Sequence, residues 1–352
     1  MKKLSLLFSL VLVLLGQSFG QEKAGPKFSG LMYGDAFYNI QQRDTTKKDI
    51  NGFQFRRIYF TSDFSISENF DARFRLEADQ SANSLTSGGK IGVMVKDAYL
   101  KWKNIFKGSD MLFGVSPTPA FDVSEALWGY RSVEKTIMDL NGIVGSRDLG
   151  VDLKGKITED GMAKYWIKIG NNSGNAPETN KYKRYYGLFQ LAPIKNLNIT
   201  VYGDFASSGK IKNSYTSSMV DNGAFVFAGM LNYSEKDQYS VGVETFLKSQ
   251  QNGYKNLTSK SYESKSAFGL SVFAWVSLTE QIRLLGRFDT IDPNTNSDVK
   301  DDQTSLILAG VDFKIDKNVS IIPNIEVFNY QKNLYGKEAK DIVARATFSY
   351  SF

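Results

Sequence analysis

The sequence predicts an all-β protein: a sixteen-stranded antiparallel transmembrane β-barrel with short periplasmic turns, long external loops and an inward-folded third loop. Three observations predict it. Polar and apolar residues alternate with a period of two along most of the chain, and short connections alternate with long polar ones. In addition, 25 Phe, 18 Tyr and 4 Trp make 13 % of the 352 residues aromatic, a composition that favours strands. Absences narrow the chemistry. The chain has no Cys and no His, which removes Ser-His and Cys-His nucleophile pairs, His-ligated metals, zinc knuckles and disulfides. No catalytic residue, metal site or cofactor is expected. The 43 basic and 37 acidic residues leave a net charge of +6, too small and too dispersed for a nucleic-acid-binding face.

The leader comes first. Met1-Lys2-Lys3 precedes an apolar run from Leu4 to Leu15, broken by Ser5 and Ser9, and then Gly16-Gln17-Ser18-Phe19-Gly20. Charged, apolar and small-residue regions in that order make a secretory signal peptide over 1–20, with cleavage expected after Gly20. An anchor helix is the alternative, but the run falls short of the ~20 residues needed to cross a bilayer. With no Cys after the cleavage site, a lipoprotein is excluded. The remainder, 21–352, reads as one barrel domain. It offers no apolar stretch long enough for a transmembrane helix, whereas a membrane strand needs only about 9 to 11 residues with one apolar face.

Strands one and two are expected at 28–41 and 52–66, on either side of a polar loop. Strand three, 69–80, shows the pattern most clearly: Phe70, Ala72, Phe74, Leu76 and Ala78 alternate with Asp71, Arg73, Arg75, Glu77 and Asp79. Charges at every second residue need water on that face, and the opposite face needs a dry neighbour. Strands four to eight follow at 91–103, 110–116, 147–157, 162–171 and 182–191. In strand nine, 196–207, Leu197, Ile199, Val201 and Phe205 alternate with Asn198, Thr200, Tyr202 and Asp204. Strands ten to thirteen are placed at 222–234, 238–250, 263–278 and 281–291. Strand fourteen, 303–315, sets Ile307, Ala309, Val311, Phe313 and Ile315 against Gly310, Asp312 and Lys314. Strand fifteen, 318–331, leads to the last, 340–352, where Ile342, Ala344, Ala346, Phe348, Tyr350 and Phe352 share one face and Val343, Arg345, Thr347, Ser349 and Ser351 the other.

A secreted β-sandwich or propeller would also alternate locally. The expected strands average about twelve residues, however, against the five or six usual in soluble sheets. An even strand count with tight turns at one rim and long loops at the other is the mark of a bacterial outer-membrane barrel. Tyr33, Phe37, Tyr38, Tyr99, Trp102, Tyr185, Phe189, Tyr233, Phe246, Phe328 and Tyr330 are then expected in aromatic girdles.

Several segments resemble a family, the outer-membrane porins, and within it the phosphate-selective porin O/P type. Phe53 to Tyr59 with its Arg56-Arg57 pair resembles that family's FRRAR strand, and Lys96-Asp97-Ala98-Tyr99-Leu100 its DAYL strand. Gly114-Val115-Ser116-Pro117 is similar to GQFKxPF, and Arg147-Asp148-Leu149-Gly150-Val151 to RDIGV. These matches lie within 53–155, while the similarity of topology covers the whole mature chain. Phe348, Tyr350 and Phe352 resemble the terminal aromatic signal read by the outer-membrane barrel assembly machinery. The departures are Val115 and Thr118, where the family has Lys and Phe. A lysine-rich phosphate ladder has no counterpart either, the fifth long loop, 208–221, offering only Lys210 and Lys212. The resemblance implies a barrel in contact with outer-membrane lipid and lipopolysaccharide, assembled as a homotrimer, without phosphate specificity.

The longest connection, 117–146, carries Phe121, Leu127, Trp128, Ile137, Met138 and Leu140, apolar residues that need packing. As the third long loop it is expected to fold inward and bring Asp122, Glu125, Glu134 and Asp139, with Arg131 and Lys135, to a constriction. A solvated external lid is the alternative. On the wall, alternation points Arg57, Arg73, Arg75, Arg283, Arg287 and Arg345 inward. Closure would make Arg57, Arg73, Arg75 and Arg345 one arc opposite the loop acids, an arrangement that orders dipolar solutes and weakly sorts ions. Inward acids, among them Glu77, Asp97, Asp152, Asp204, Glu244, Asp289, Asp312 and Glu326, offset most of that charge. The expected function is passive diffusion of small hydrophilic or anionic solutes, with a mild anion preference at most. A structural or adhesive barrel with a closed lumen is the alternative, and known outer-membrane hydrolases are disfavoured because they use a His.

Overall fold

The computed structural model describes residues 25–80, 89–296, 298–331 and 339–352; the leader expected at 1–20 lies outside the described residues. Sixteen strands form a single closed wall. They are β1 (Lys27–Gln41), β2 (Asn51–Ser65), β3 (Phe70–Ala78), β4 (Val93–Phe106), β5 (Ser109–Pro117), β6 (Arg147–Lys156), β7 (Ala163–Gly170) and β8 (Arg184–Leu191). The second half comprises β9 (Leu197–Ala206), β10 (Ala224–Glu235), β11 (Tyr239–Asn256), β12 (Ser261–Ser277), β13 (Ile282–Asp292), β14 (Thr304–Asp316), β15 (Val319–Tyr330) and β16 (Ala339–Ser351). Each pairs antiparallel with its sequence neighbours, and β16 closes on β1 from Leu31↔Ser351 to Gln41↔Ile342. Closure leaves no strand edge, so every wall amide can be satisfied without water.

The expected strands all appear, and the largest departure is at the sixth loop. There β11 and β12 continue past the expected ends, pairing Tyr254↔Glu263 and Asn256↔Ser261, and meet in a tight turn over 257–260. Asn256 closes this turn by accepting from the Thr258 and Ser259 amides, both at 3.0 Å. This extension is polar on both faces, so no alternation marks it.

Outside, the wall is apolar. Along β9, Val201 and Phe205 are 51 % and 46 % exposed, whereas Tyr202 and Asp204 between them are 3 % and 7 % exposed. The paired outward row Phe288, Ile307, Val327 and Ile342 gives way one row higher to Thr290, Ser305, Asn329 and Lys340. An apolar band therefore ends at a polar rim. The expected girdle needs correction. Tyr38, Trp102, Tyr185, Phe189 and Tyr233 face outward and are exposed, but Tyr33 and Phe246 are buried inside the barrel and Phe328 packs against that interior. Phe37, Tyr99 and Tyr330 share the inward phase of Asp35, Asp97 and Phe328. An aromatic at a strand end carries the same sequence signal on either face, so its presence there does not by itself separate a girdle residue from a lumen one.

The barrel has a core because the third loop fills part of it. Thr118 precedes α1 (Pro119–Trp128), which starts on a proline suited to a first helical turn, and Gly129 stops it at φ 75°. A short α2 (Ile137–Leu140) follows. Phe121, Ile137 and Met138 pack with Trp166, Tyr186, Tyr202, Val226 and Phe246 of the wall. Trp128, Tyr130 and Val133 pack with Met230, Phe273, Leu285, Leu306, Leu308 and Ile322. The loop thus lies against the inner face from β7 to β15.

Within β5, Gly114 adopts φ +130°, and a Cβ there would sit 2.2 Å from the Ala98 carbonyl of β4. Gly114→Ala is expected to cost at least ~1–3 kcal/mol from the backbone conformation alone. The check is the temperature at which the folded barrel loses its faster gel migration; an unchanged temperature would refute the expectation.

Candidate functional site

Two irregularities in the wall concentrate charge in the lumen. Between Tyr33↔Arg57 and Gly34↔Phe55 the register skips Arg56, and between Arg75↔Asp97 and Leu76↔Val95 it skips Lys96. Each skip is a β-bulge that turns two consecutive residues to one face. Arg56 and Arg57 therefore both point inward, as do Lys96 and Asp97.

The bulged strands build a cation patch on β2, β3, β4 and β6. Glu77 accepts from Arg57 at 2.8 Å and from Lys96 at 2.7 Å, and Asp97 pairs with Arg75 at 3.3 Å and with Arg147. Four cations share two carboxylates, which leaves two positive charges uncompensated within the patch. Tyr59 stands between Arg57 and Arg75, whose guanidinium carbons lie 5.4 and 5.0 Å from its ring centroid. Rigid aromatic packing holds both arginines in place while their side chains remain 12 % and 21 % exposed. Such pairs contribute little net stability, since desolvation offsets attraction. Their consequence is a fixed positive surface.

The loop presents the opposite sign. Arg131 is clamped by Glu125 at 3.1 Å and by Asp139 at 3.0 Å, and it donates to the Tyr33 hydroxyl at 3.3 Å. Asp122, one turn before Glu125 on α1, is exposed. One cation against two or three carboxylates makes this face acidic, and Glu125 lies within Coulombic reach of Arg147 across the space between. The arrangement can orient dipolar solutes and bias ion passage.

Other charged residues anchor the loop. Arg56 pairs with buried Asp35 at 2.5 Å and donates to the Val133 carbonyl at 2.7 Å and to the Ser132 carbonyl. Arg345 bridges Glu326 at 2.6 Å and Glu134 at 3.6 Å. Arg287 binds Asp289 and donates to the Lys135 carbonyl. Arg283 lies 3.8 Å over the Trp275 ring, and Tyr130 donates to Asp312 at 3.1 Å. Burial and that carboxylate push the Tyr130 phenol up, so it stays a donor. Lys96, Ser240 and Lys248 meet the loop at Ser146, Leu127 and Ile143.

The expected arc of Arg57, Arg73, Arg75 and Arg345 does not form as one group. Arg73 is held in a two-point pair with Asp63, at 2.7 and 2.9 Å, close to the β2–β3 turn. Arg345 is drawn to the loop. Alternation gives a residue's face but not its depth along the barrel axis, nor whether a loop covers it. Strict alternation does not bring Arg56 and Lys96 into the lumen, and Arg147 stands there beside them. A signal existed for the first two: by strict alternation they would face lipid, at a cost of ~2–4 kcal/mol at the midplane, so a charge in the lipid phase marks a bulge. At the closing seam, Phe352 exchanges backbone hydrogen bonds with Gly30 at 3.0 and 3.1 Å, Phe348 meets Phe55 edge-on at 6.0 Å, and Tyr350 reaches Met32.

No family model and no curated protein matches the chain. Solved structures do. The outer membrane channel DcaP of Acinetobacter baumannii aligns at 13 % identity and a TM-score of 0.66, over 94 % of this chain and 99 % of that one. An anion-selective porin from Comamonas acidovorans aligns at 10 % identity and 0.63, over 93 % and 99 %. A loop L8 deletion mutant of OmpT, an outer membrane protein of Vibrio cholerae, aligns at 12 % identity and 0.63, over 93 % and 99 %. At such identities the likeness is one of fold.

Proposed function

We propose that the chain is a porin of the bacterial outer membrane, passing small hydrophilic solutes and ions by diffusion. One observation carries the reading: inside a closed barrel with an apolar outer band, a solvent-reaching cation patch on β2 to β6 faces the carboxylates of an inward loop. No covalent step or cofactor enters the mechanism. Solutes would be sieved by the space the loop leaves open and sorted weakly by the transverse field, with a mild preference for anions because the patch is net positive. The chain would reach this membrane through a leader cleaved after Gly20. Phe348, Tyr350 and Phe352 would engage the assembly machinery, and the barrel would sit in lipid and lipopolysaccharide as a homotrimer.

Within the porins, the short motifs at 53–155 support kinship with the phosphate-selective O/P type. The segments bearing that resemblance supply Arg57, Lys96, Asp97 and Arg147 of the patch, which supports a shared passage geometry without a shared solute. A closed-lumen structural barrel is the second reading, favoured by the two apolar clusters that bind the loop to most of the inner wall.

Planar-bilayer recording separates the two. Purified trimer or monomer is expected to produce stepwise conductance with a weak anion preference. Silent bilayers despite verified insertion would reject the porin reading and leave the closed barrel.

A further inference from the structure

Above the inward loop, on the side of the long connections, the loop and the wall enclose a cleft of about 290 Å³, near the ~300 Å³ lower bound of small-ligand sites. Two ammonium groups converge on it. Lys248 of β11 and Lys265 of β12 both line the cleft, and the register Lys248↔Ala267 and Gln250↔Lys265 makes them diagonal neighbours, about 7–8 Å apart between Cα atoms. One carboxylate can reach both. The Lys248 ammonium uses one donor, on the Ile143 carbonyl at 3.1 Å, leaving two of its three free. Lys265 forms no ion pair among the described residues. Of the carboxylates close by, Asp204 is held by Arg184 at 2.7 Å, Asp292 accepts from the Asn294 amide at 3.0 Å, and Asp302 stands within Coulombic reach of Lys265 without forming an ion pair with it.

Beside the lysines the lining is apolar at Ile143, Ala267 and Ile291, all largely buried, and at Pro293, and polar at Asn141 and Thr304. Gln250 gives one of its two amide N–H groups to Asn222 at 2.8 Å, which leaves the other N–H and the carbonyl oxygen. Two ammonium groups beside apolar side chains fit an amphipathic anion. Inorganic phosphate would lose hydration against those side chains without compensation.

We propose that this cleft is a binding site for a small organic monocarboxylate, its carboxylate between Lys248 and Lys265 and its hydrocarbon body against Ile143 and Ile291. In supposing that the bound anion then proceeds through the lumen, the assignment rests on the porin reading; the binding itself does not.

The test uses the full-length protein in lipid nanodiscs, titrated calorimetrically with sodium butyrate and separately with sodium phosphate, alongside bilayer recordings of the same preparation. Saturable butyrate binding is expected, with phosphate weaker. Affinity should fall at least about tenfold in Lys265→Gln, as for loss of a charge-assisted contact, should fall further in the Lys248→Gln/Lys265→Gln double variant, and should largely return in Lys265→Arg. Lys265 is exposed, so its single variant keeps the test valid if the double variant misfolds. Absence of saturable butyrate binding, equal or tighter binding of phosphate, or affinity indifferent to Lys265→Gln would each overturn the site. Conductance persisting in those cases would leave the porin reading standing, whereas silent bilayers with butyrate binding intact would reject the porin reading and keep the site.

Discussion

Trp128→Ala is expected to raise single-channel conductance and make it noisy while leaving the barrel folded. Trp128 is 1 % exposed, its ring lies 5.4 Å from Phe273 and 5.7 Å from Tyr130, and its indole N–H donates to the Glu134 carbonyl at 2.9 Å. Truncating a tryptophan in such a position costs ~3–5 kcal/mol. That cost falls on the docking of the loop rather than on the wall, whose strands are held by their own backbone ladders. Residual anchors at Arg56, Arg287 and Arg345 can re-seat the loop, which predicts flicker rather than a fixed larger pore. Replacing 121–138 by a short Gly-Ser linker removes them and should give a stable, larger conductance. Planar-bilayer recording is the measurement, with gel migration verifying the folded barrel. Conductance unchanged in both variants would show that the loop does not define the passage.

The second large effect concerns ion preference. Arg57→Gln with Arg75→Gln should move the reversal potential in a salt gradient toward cations, whereas Arg73→Gln should move it little. In the double variant Glu77 keeps Lys96 and Asp97 keeps Arg147, so no carboxylate is stranded and the two surplus charges vanish. A unit charge about 7 Å from a passing ion contributes roughly 0.6 kcal/mol in a water-like dielectric, a factor of about 2–3 in local ion concentration. Two such charges compound. Arg73, by contrast, is neutralised one-to-one by Asp63, and both are about a third exposed, where a pair is well screened. The shift should shrink at about 1 M salt, where the screening length falls to ~3 Å. A double variant with the parent's reversal potential would dismiss the patch as a selectivity element.

Much of this site was legible in the residues, but in pieces. Arg57, Arg75, Glu77 and Asp97 could be assigned to the water-facing side from alternation alone, because a charge on a membrane strand has only one tolerable face. Arg56 and Lys96 fall in the lipid phase of strict alternation, a local mark of a bulge, and cross-strand register then turns both into the lumen. The apolar character of Trp166, Tyr186, Phe246, Leu306 and Leu308 on the inner face blurred the pattern along β7 to β14, for a reason outside those strands: a distant loop covers them.

The number of strands, their antiparallel order and the outward face of nearly all of them were determined by the sequence itself, since period-two alternation and turn spacing are local consequences of a wall with water on one side and hydrocarbon on the other. Which arginines stand together, which ones brace the loop, and where two lysines meet beside apolar side chains were decided only by tertiary structure. Those relations depend on strand register, depth along the barrel axis and the path of one loop across the lumen, and none of the three leaves a periodic trace in the chain.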